Sequence, residues 1–178
     1  ARVGTAMKGY PPVRSKADQE ALWAALREGV LSYVCSDHAP HSAEEKKKDI
    51  WSAPAGMVNI ETMVPLMIDA VNAGKITWQE LVRVLSAGPA RMYGLYPRKG
   101  AIQIGADADI VLVDPEREWT VDQEKLQSRT KLSAYHGMTL KGKIERTILR
   151  GYTVMNGGQI CGNAEGRFVR PDKEAKAL

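Results

Sequence analysis

The residues best equipped for chemistry lie in one short stretch, Val34-Cys35-Ser36-Asp37-His38-Ala39-Pro40-His41. It holds two of the three histidines, His38 and His41, and sets a carboxylate, Asp37, just after a β-branched and aromatic run from Leu31 to Val34. Such a run reads as a short buried strand, and Pro40 prevents its regular continuation. Asp37 is thereby expected at the carboxyl end of a strand. In parallel α/β barrels that rim is where reacting groups sit, because strand ends fix side chains that loops alone leave mobile. The other reading of Asp37 is that it caps a turn.

The elements that must position this stretch can be read on either side. Pro11-Pro12 enforces an extended path, and Ser15-Lys16-Ala17-Asp18 fits a capping box, in which a serine and an acidic side chain each satisfy a backbone group at a helix start. A helix should follow, with Leu22, Ala25, Leu26 and Gly29 on one face and Gly29 at its exit. Loop, helix, strand and rim loop in that order make one turn of a parallel α/β repeat. Residues 41–56 form a polar loop whose charged cluster, Glu44 to Asp49, reads as a solvated face; a connection this long belongs more often to a functional rim than to a plain linker.

Farther along, Met63, Val64, Met67, Ile68 and Val71 recur at helical spacing, with Pro65 tolerable near the first turn and Gly74 as the stop. These methionines read as core packing. Thr77-Trp78-Gln79-Glu80 is a second capping box, opening a helix through Leu85 that Gly88-Pro89 should break; a short helical stretch through Met92 then ends at Gly94. From Lys99 the character changes to strands punctuated by Gly and Asp: Ala101–Ile104, Ile110–Val113, Trp119–Val121, Thr147–Leu149 and Thr153–Met155, with a hairpin turn at Asn156-Gly157. Residues 122–146 read as loop. The expected division is therefore α/β units over residues 1–96 and a β-rich unit over 97–178, whose last dozen polar residues need a partner surface to be ordered.

Composition narrows the function classes. The formal charge of +4 comes partly from Lys46 to Lys48 and a basic tail, without the interleaved aromatic residues that stack on bases, so nucleic acid is not an expected partner. No apolar run approaches the roughly 20 residues that span a bilayer. Cys35 and Cys161 form neither a disulfide framework nor a ligand-spaced pair, and the expected compartment is the reducing cytoplasm.

Ser36-Asp37-His38-Ala39-Pro40-His41, preceded by Lys8-Gly9-Tyr10-Pro11-Pro12-Val13-Arg14 and followed by Ala53-Pro54-Ala55-Gly56, resembles the cyclic amidohydrolases: dihydroorotase, allantoinase, and hydantoinase or dihydropyrimidinase. Lys99 to Asp109 and Gly137-Met138-Thr139-Leu140-Lys141-Gly142 look like the same family's return to its β domain. The resemblance implies the carboxyl-terminal part of a distorted (β/α)8 TIM-type barrel followed by part of a small β-sandwich. It implies that Asp37 is both metal ligand and catalytic carboxylate, at a site that usually holds two divalent ions, commonly zinc, bridged by hydroxide. Metal binding brings the pKa of water down to about 7, and the free carboxylate oxygen can carry the proton from the attacking hydroxide to the departing ring nitrogen. It further implies that His41 contacts substrate and that the Ala55-Gly56 backbone hydrogen-bonds the substrate's amide edge. An exposed surface histidine is the other reading of His41. His38 reads as orienting the loop, and His136 receives no role.

Two departures accompany the resemblance. The family's His-x-His pair, its bridging lysine and two further histidines have no counterpart here, and one carboxylate cannot hold a metal pair. This chain is accordingly expected to be inactive alone and to be the carboxyl-terminal part of a longer, oligomeric enzyme. Tyr10 stands where dihydroorotases tend to carry asparagine, while the His41 match points toward them; dihydroorotate, allantoin, hydantoins and dihydropyrimidines all remain candidate substrates. A reading of a different class is a non-catalytic assembly protein on the same fold.

Overall fold

A computed structural model describes residues 3–171. Helices come first: α1 (Lys16–Arg27), α2 (Ala43–Lys46), α3 (Met63–Asn72), α4 (Trp78–Val82) and α5 (Gly88–Met92). The capping box at Ser15 starts α1, with the Asp18 N–H donating to Ser15 Oγ at 3.3 Å and the Ser15 N–H to Asp18 Oδ2 at 3.0 Å. Thr77 and Glu80 open α4 in the same way. Leu26 and Trp23, three residues apart, turn α1 toward the core; Leu22, expected on that face, is exposed.

α4 and α5 are joined by a π-helical turn, Arg83–Ala87, so Gly88-Pro89 continues the helical path that it was expected to break. A side chain at Gly88 would collide with the Ser32 carbonyl, and this close approach lets Val34 N–H donate to Val84 O at 3.0 Å. Leu31–Val34 thus lies extended against a helix rather than as a strand, because no neighbouring strand pairs with it among the described residues. Cys35 is exposed there, not apolar core. Leu26, Met67, Ile68, Ala70, Ile76, Leu81 and Val84 form the main core, against which Leu31, Val34, Val113 and Ile144 pack.

The β-rich part is one antiparallel sheet of four strands in sequence order, β1 (Ile110–Thr120), β2 (Thr139–Leu149), β3 (Tyr152–Asn156) and β4 (Gln159–Ile160). The Asn156-Gly157 turn joins β3 to β4 as expected. Two expectations are corrected. Ala101–Ile104 is no strand: Asp107 N–H bonds back to Arg98 O at 2.9 Å, closing a loop from which Ile102 and Ile104 protrude into solvent. Residues 122–146 are not all loop, since β2 begins at Thr139. Gly142 interrupts its apolar pattern because α3 passes there, leaving no room for a Cβ beside Ile68. Asn72 Nδ2 donates to Lys141 O at 2.8 Å and Asp69 Oδ1 accepts from Lys141 N–H at 2.8 Å, so the helix is stitched to the strand. Most of the carboxyl-terminal dozen, residues 172–178, lies outside the described residues. No described helix is long and apolar enough to cross a membrane.

Candidate active-site rim

Residues 36–41 and 55–60 run side by side, and each hydrogen bond between them involves a main-chain group. Ala39 N–H donates to Met57 O at 3.0 Å, within a parallel bridge between His38 and Met57. Asn59 Nδ2 donates to Ser36 O at 3.1 Å. The Nδ1 atom of His38 accepts from the N–H groups of Asn59 at 3.1 Å and Ile60 at 3.3 Å. Acceptance there requires a ring with Nδ1 deprotonated, so His38 spends that nitrogen orienting the loop, the role expected of it.

At the other end, His41 Nε2 lies 3.0 Å from Ala55 O, which can only accept, so the ring donates from Nε2. Its Nδ1 faces Glu45 Oε2 at 3.7 Å. The Ser42 N–H, donating to Glu45 at 2.8 Å, is the main influence holding that carboxyl below its ordinary range. The structure therefore brings His41 and Ala55 into contact. Gly56 is required beside them: its φ is +143°, and a Cβ would strike Ala39 O and come within 2.9 Å of His41 Cδ2. The Gly56 N–H is already committed to Lys8 O at 2.9 Å. Neither the Ala55 N–H nor the Gly56 carbonyl has a partner among the described residues.

Asp37 stands apart. Its φ is +44°, a left-handed conformation that Asp tolerates better than most residues, and its side chain is exposed with no hydrogen bond or ion pair among the described residues. The residues on both sides are tied down, so the carboxylate is presented on a braced turn. Among the described residues no three His, Cys, Asp or Glu side chains converge as a metal would need. The described residues thus do not by themselves form a metal centre. His136 accepts the Gln123 N–H through Nδ1 at 3.2 Å, far along the chain in a turn beside the sheet. A surface cavity of about 420 Å³ lined by Tyr152, Cys161, Glu165 and Arg167 shares no residue with the rim.

Sequence reasoning missed Lys46. The charged cluster was expected to be solvated, and Lys47 and Lys48 are, but Lys46 is only 4 % exposed. A capping box at Ser42 and Glu45, of the kind recognised at Ser15 and Thr77, opens the single turn of α2 and directs Lys46 inward.

A model of the amidohydrolase family matches residues 12–154. This chain belongs to the amidohydrolase family. It is 39 % identical over 173 residues to a dihydroorotase of Pyrococcus furiosus, covering 97 % of this chain and 40 % of that protein. It is 38 % identical over 175 residues to an allantoinase of Rubrobacter xylanophilus, covering 97 % and 38 %. Among solved structures, the L-hydantoinase (dihydropyrimidinase) of Arthrobacter aurescens superposes with a TM-score of 0.87 at 36 % identity, over 90 % of this chain and 37 % of that one. The chain spans about two-fifths of the length of these relatives.

Proposed function

We propose that this chain carries the proton-transferring carboxylate and part of the substrate edge of a hydrolase that opens a cyclic amide or ureide ring. The observation that carries the reading is Asp37, an exposed and unpartnered carboxylate on a turn whose neighbours are all hydrogen-bonded. An exposed carboxylate is ordinarily served by water alone; what supports the reading is the left-handed, hydrogen-bonded turn that fixes this one. The relatives named dihydroorotase, allantoinase and hydantoinase support the same class.

In this reading residues 1–96 are the last α/β units of a distorted (β/α)8 barrel and residues 97–178 the carboxyl-terminal share of a β-sandwich. The remaining barrel strands come from the rest of a longer polypeptide, which assembles as a homo-oligomer. A divalent metal, two zinc ions in the complete enzyme, would take Asp37 as one of its donors and supply Lewis-acid polarisation of the scissile carbonyl. The chain's own residues then do the following. Asp37 accepts a proton from the attacking water as its oxygen bonds to the ring carbonyl carbon. It returns that proton to the ring nitrogen as the C–N bond breaks, which leaves a carboxylic acid and a free amide or amine. The unused Ala55 N–H and Gly56 carbonyl offer the donor and acceptor that match an amide edge, and His41 contacts the substrate beside them.

The test is to join the chain to its upstream coding sequence and assay ring opening of dihydroorotate, hydantoin, allantoin and dihydrouracil, with metal analysis of the purified protein. Opening of at least one ring, dependent on bound metal, is the expected result. A well-folded full-length protein that opens none would refute it and favour an assembly protein on this fold.

A further inference from the structure

We infer that Lys46 is a positioning residue: its buried ammonium sets the Ala53–Gly56 segment of the rim by holding main-chain carbonyls on both sides of a seam. The inference rests on the reading of that segment as a substrate edge, and it adds a residue that touches no substrate. Lys46 Nζ lies 3.1 Å from Thr5 O, 3.3 Å from Lys8 O and 2.8 Å from Pro54 O. An ammonium has three N–H donors, so these three carbonyls exhaust it. The group has nothing left to offer a ligand and can act only through the backbone it holds.

What it holds is specific. Pro54 O belongs to the residue preceding Ala55, and Lys8 O also accepts the Gly56 N–H. The ammonium thus grips the rim segment just before Ala55 and grips the partner of Gly56 as well. The bond is reciprocated at the far side, where Thr5 Oγ1 donates to Lys46 O while Thr5 O accepts from Lys46 Nζ. Lys8 reinforces the seam, its Nζ donating to Ala53 O at 2.6 Å and Trp51 O at 3.1 Å. Opposite, His41 draws on Ala55 O.

Burying a charge is costly unless its donors are met, and burial together with the nearby Lys8 charge pushes the Lys46 pKa down. A methionine of similar length would fill the space, leave Pro54 O without a partner among the described residues, and take one of two donors from Thr5 O and from Lys8 O, which keep the Lys8 and Gly56 N–H groups. The seam between residues 5–8 and 53–56 would lose its central bolt.

The experiment uses the full-length protein carrying Lys46→Met, with Lys46→Gln as a milder variant should the first fail to fold. Amide hydrogen exchange followed by mass spectrometry reads the segment directly. The expected result is at least a tenfold faster exchange across residues 53–57 in Lys46→Met, at least threefold in Lys46→Gln, with α3 unchanged. On whichever ring the wild type opens, KM should rise at least tenfold while kcat falls less than threefold, since the edge is displaced and Asp37 is not. Wild-type exchange at 53–57 overturns the inference whatever the activity, and so does a fall in kcat at constant KM. If the wild type opens no ring, the proposed function fails, while faster exchange at 53–57 still upholds Lys46 as the residue that sets the segment.

Discussion

Two regions of this molecule treat their polar groups in opposite ways. Along the seam of α3 and β2, Asp69, Asn72 and the backbone of Lys141 and Gly142 use nearly everything they have: Asn72 reaches both Pro115 O and Lys141 O, and Gly142 O accepts from Trp119 Nε1 at 3.1 Å. Around Asp37 the backbone is equally well tied, yet the carboxylate, the Ala55 N–H and the Gly56 carbonyl have no partners among the described residues. Unsatisfied groups on a mobile loop mean little, because water serves them. Unsatisfied groups on a braced turn mark where a ligand's groups can be met without reorganisation.

The sharpest way to break this contrast is to change the rim's unpartnered carboxylate and compare activity with stability. Asp37→Asn in the full-length protein keeps the shape and removes the carboxylate proposed to carry the proton, so kcat on whichever ring the wild type opens should drop by about 10²- to 10⁴-fold. Compared as metal-free proteins, where Asp37 has no partner to lose among the described residues, variant and wild type should differ in unfolding free energy by less than about 0.5 kcal/mol. A large stability loss with modest loss of rate would make the residue structural.

The seam should respond in the reverse sense. Gly142→Ala places a Cβ into Ile68 at a φ of +102°, combining overpacking with left-handed strain. The expected cost is about 2–5 kcal/mol by denaturant unfolding, from terms of about 1–3 and 1–2 kcal/mol. The kcat of the protein that remains folded should stay within a few-fold of wild type. An unfolding curve that overlays the wild type would mean the helix does not press on the strand as described.

How far the chain could be read in advance follows the same division between local and distant causes. The helices starting at Ser15 and Thr77 were legible because a capping box is satisfied within four residues. So was Gly74, whose positive φ ends α3. The first part of β2, through Arg146, was hidden by Gly142, a glycine set by Ile68, which is distant in sequence, while its end, Thr147–Leu149, was read as strand. Lys46 was hidden by its neighbours, since a run of lysines looks uniform until a helical turn sends one inward toward Thr5 and Pro54. At the rim the residue types and order were readable. The left-handed turn at Asp37 and the pairing of His38 with the Asn59 and Ile60 amides were not; the pairing depends on a second segment some 20 residues away.

Glu61 offers the finest test, since it joins the rim to the β-rich part through a carboxylate whose bonds can be titrated. It accepts from the N–H groups of Gln127 and Ser128, each at 2.8 Å, and from Ser128 Oγ at 2.9 Å. Partial burial pushes its pKa up, but these hydrogen bonds outweigh it and leave the value below the ordinary 4.5. A carboxyl group more acidic folded than unfolded contributes stability that is complete above its unfolded value and lost as pH falls through its folded one. Glu61→Gln should therefore cost about 1–2 kcal/mol at pH 7, on the scale of hydrogen bonds to a charged group. The difference between variant and wild type should shrink as the pH drops below about 4.5. A constant difference from pH 7 to pH 3 would show that Glu61 acts by shape rather than by charge, and the link between rim and sheet would then be steric.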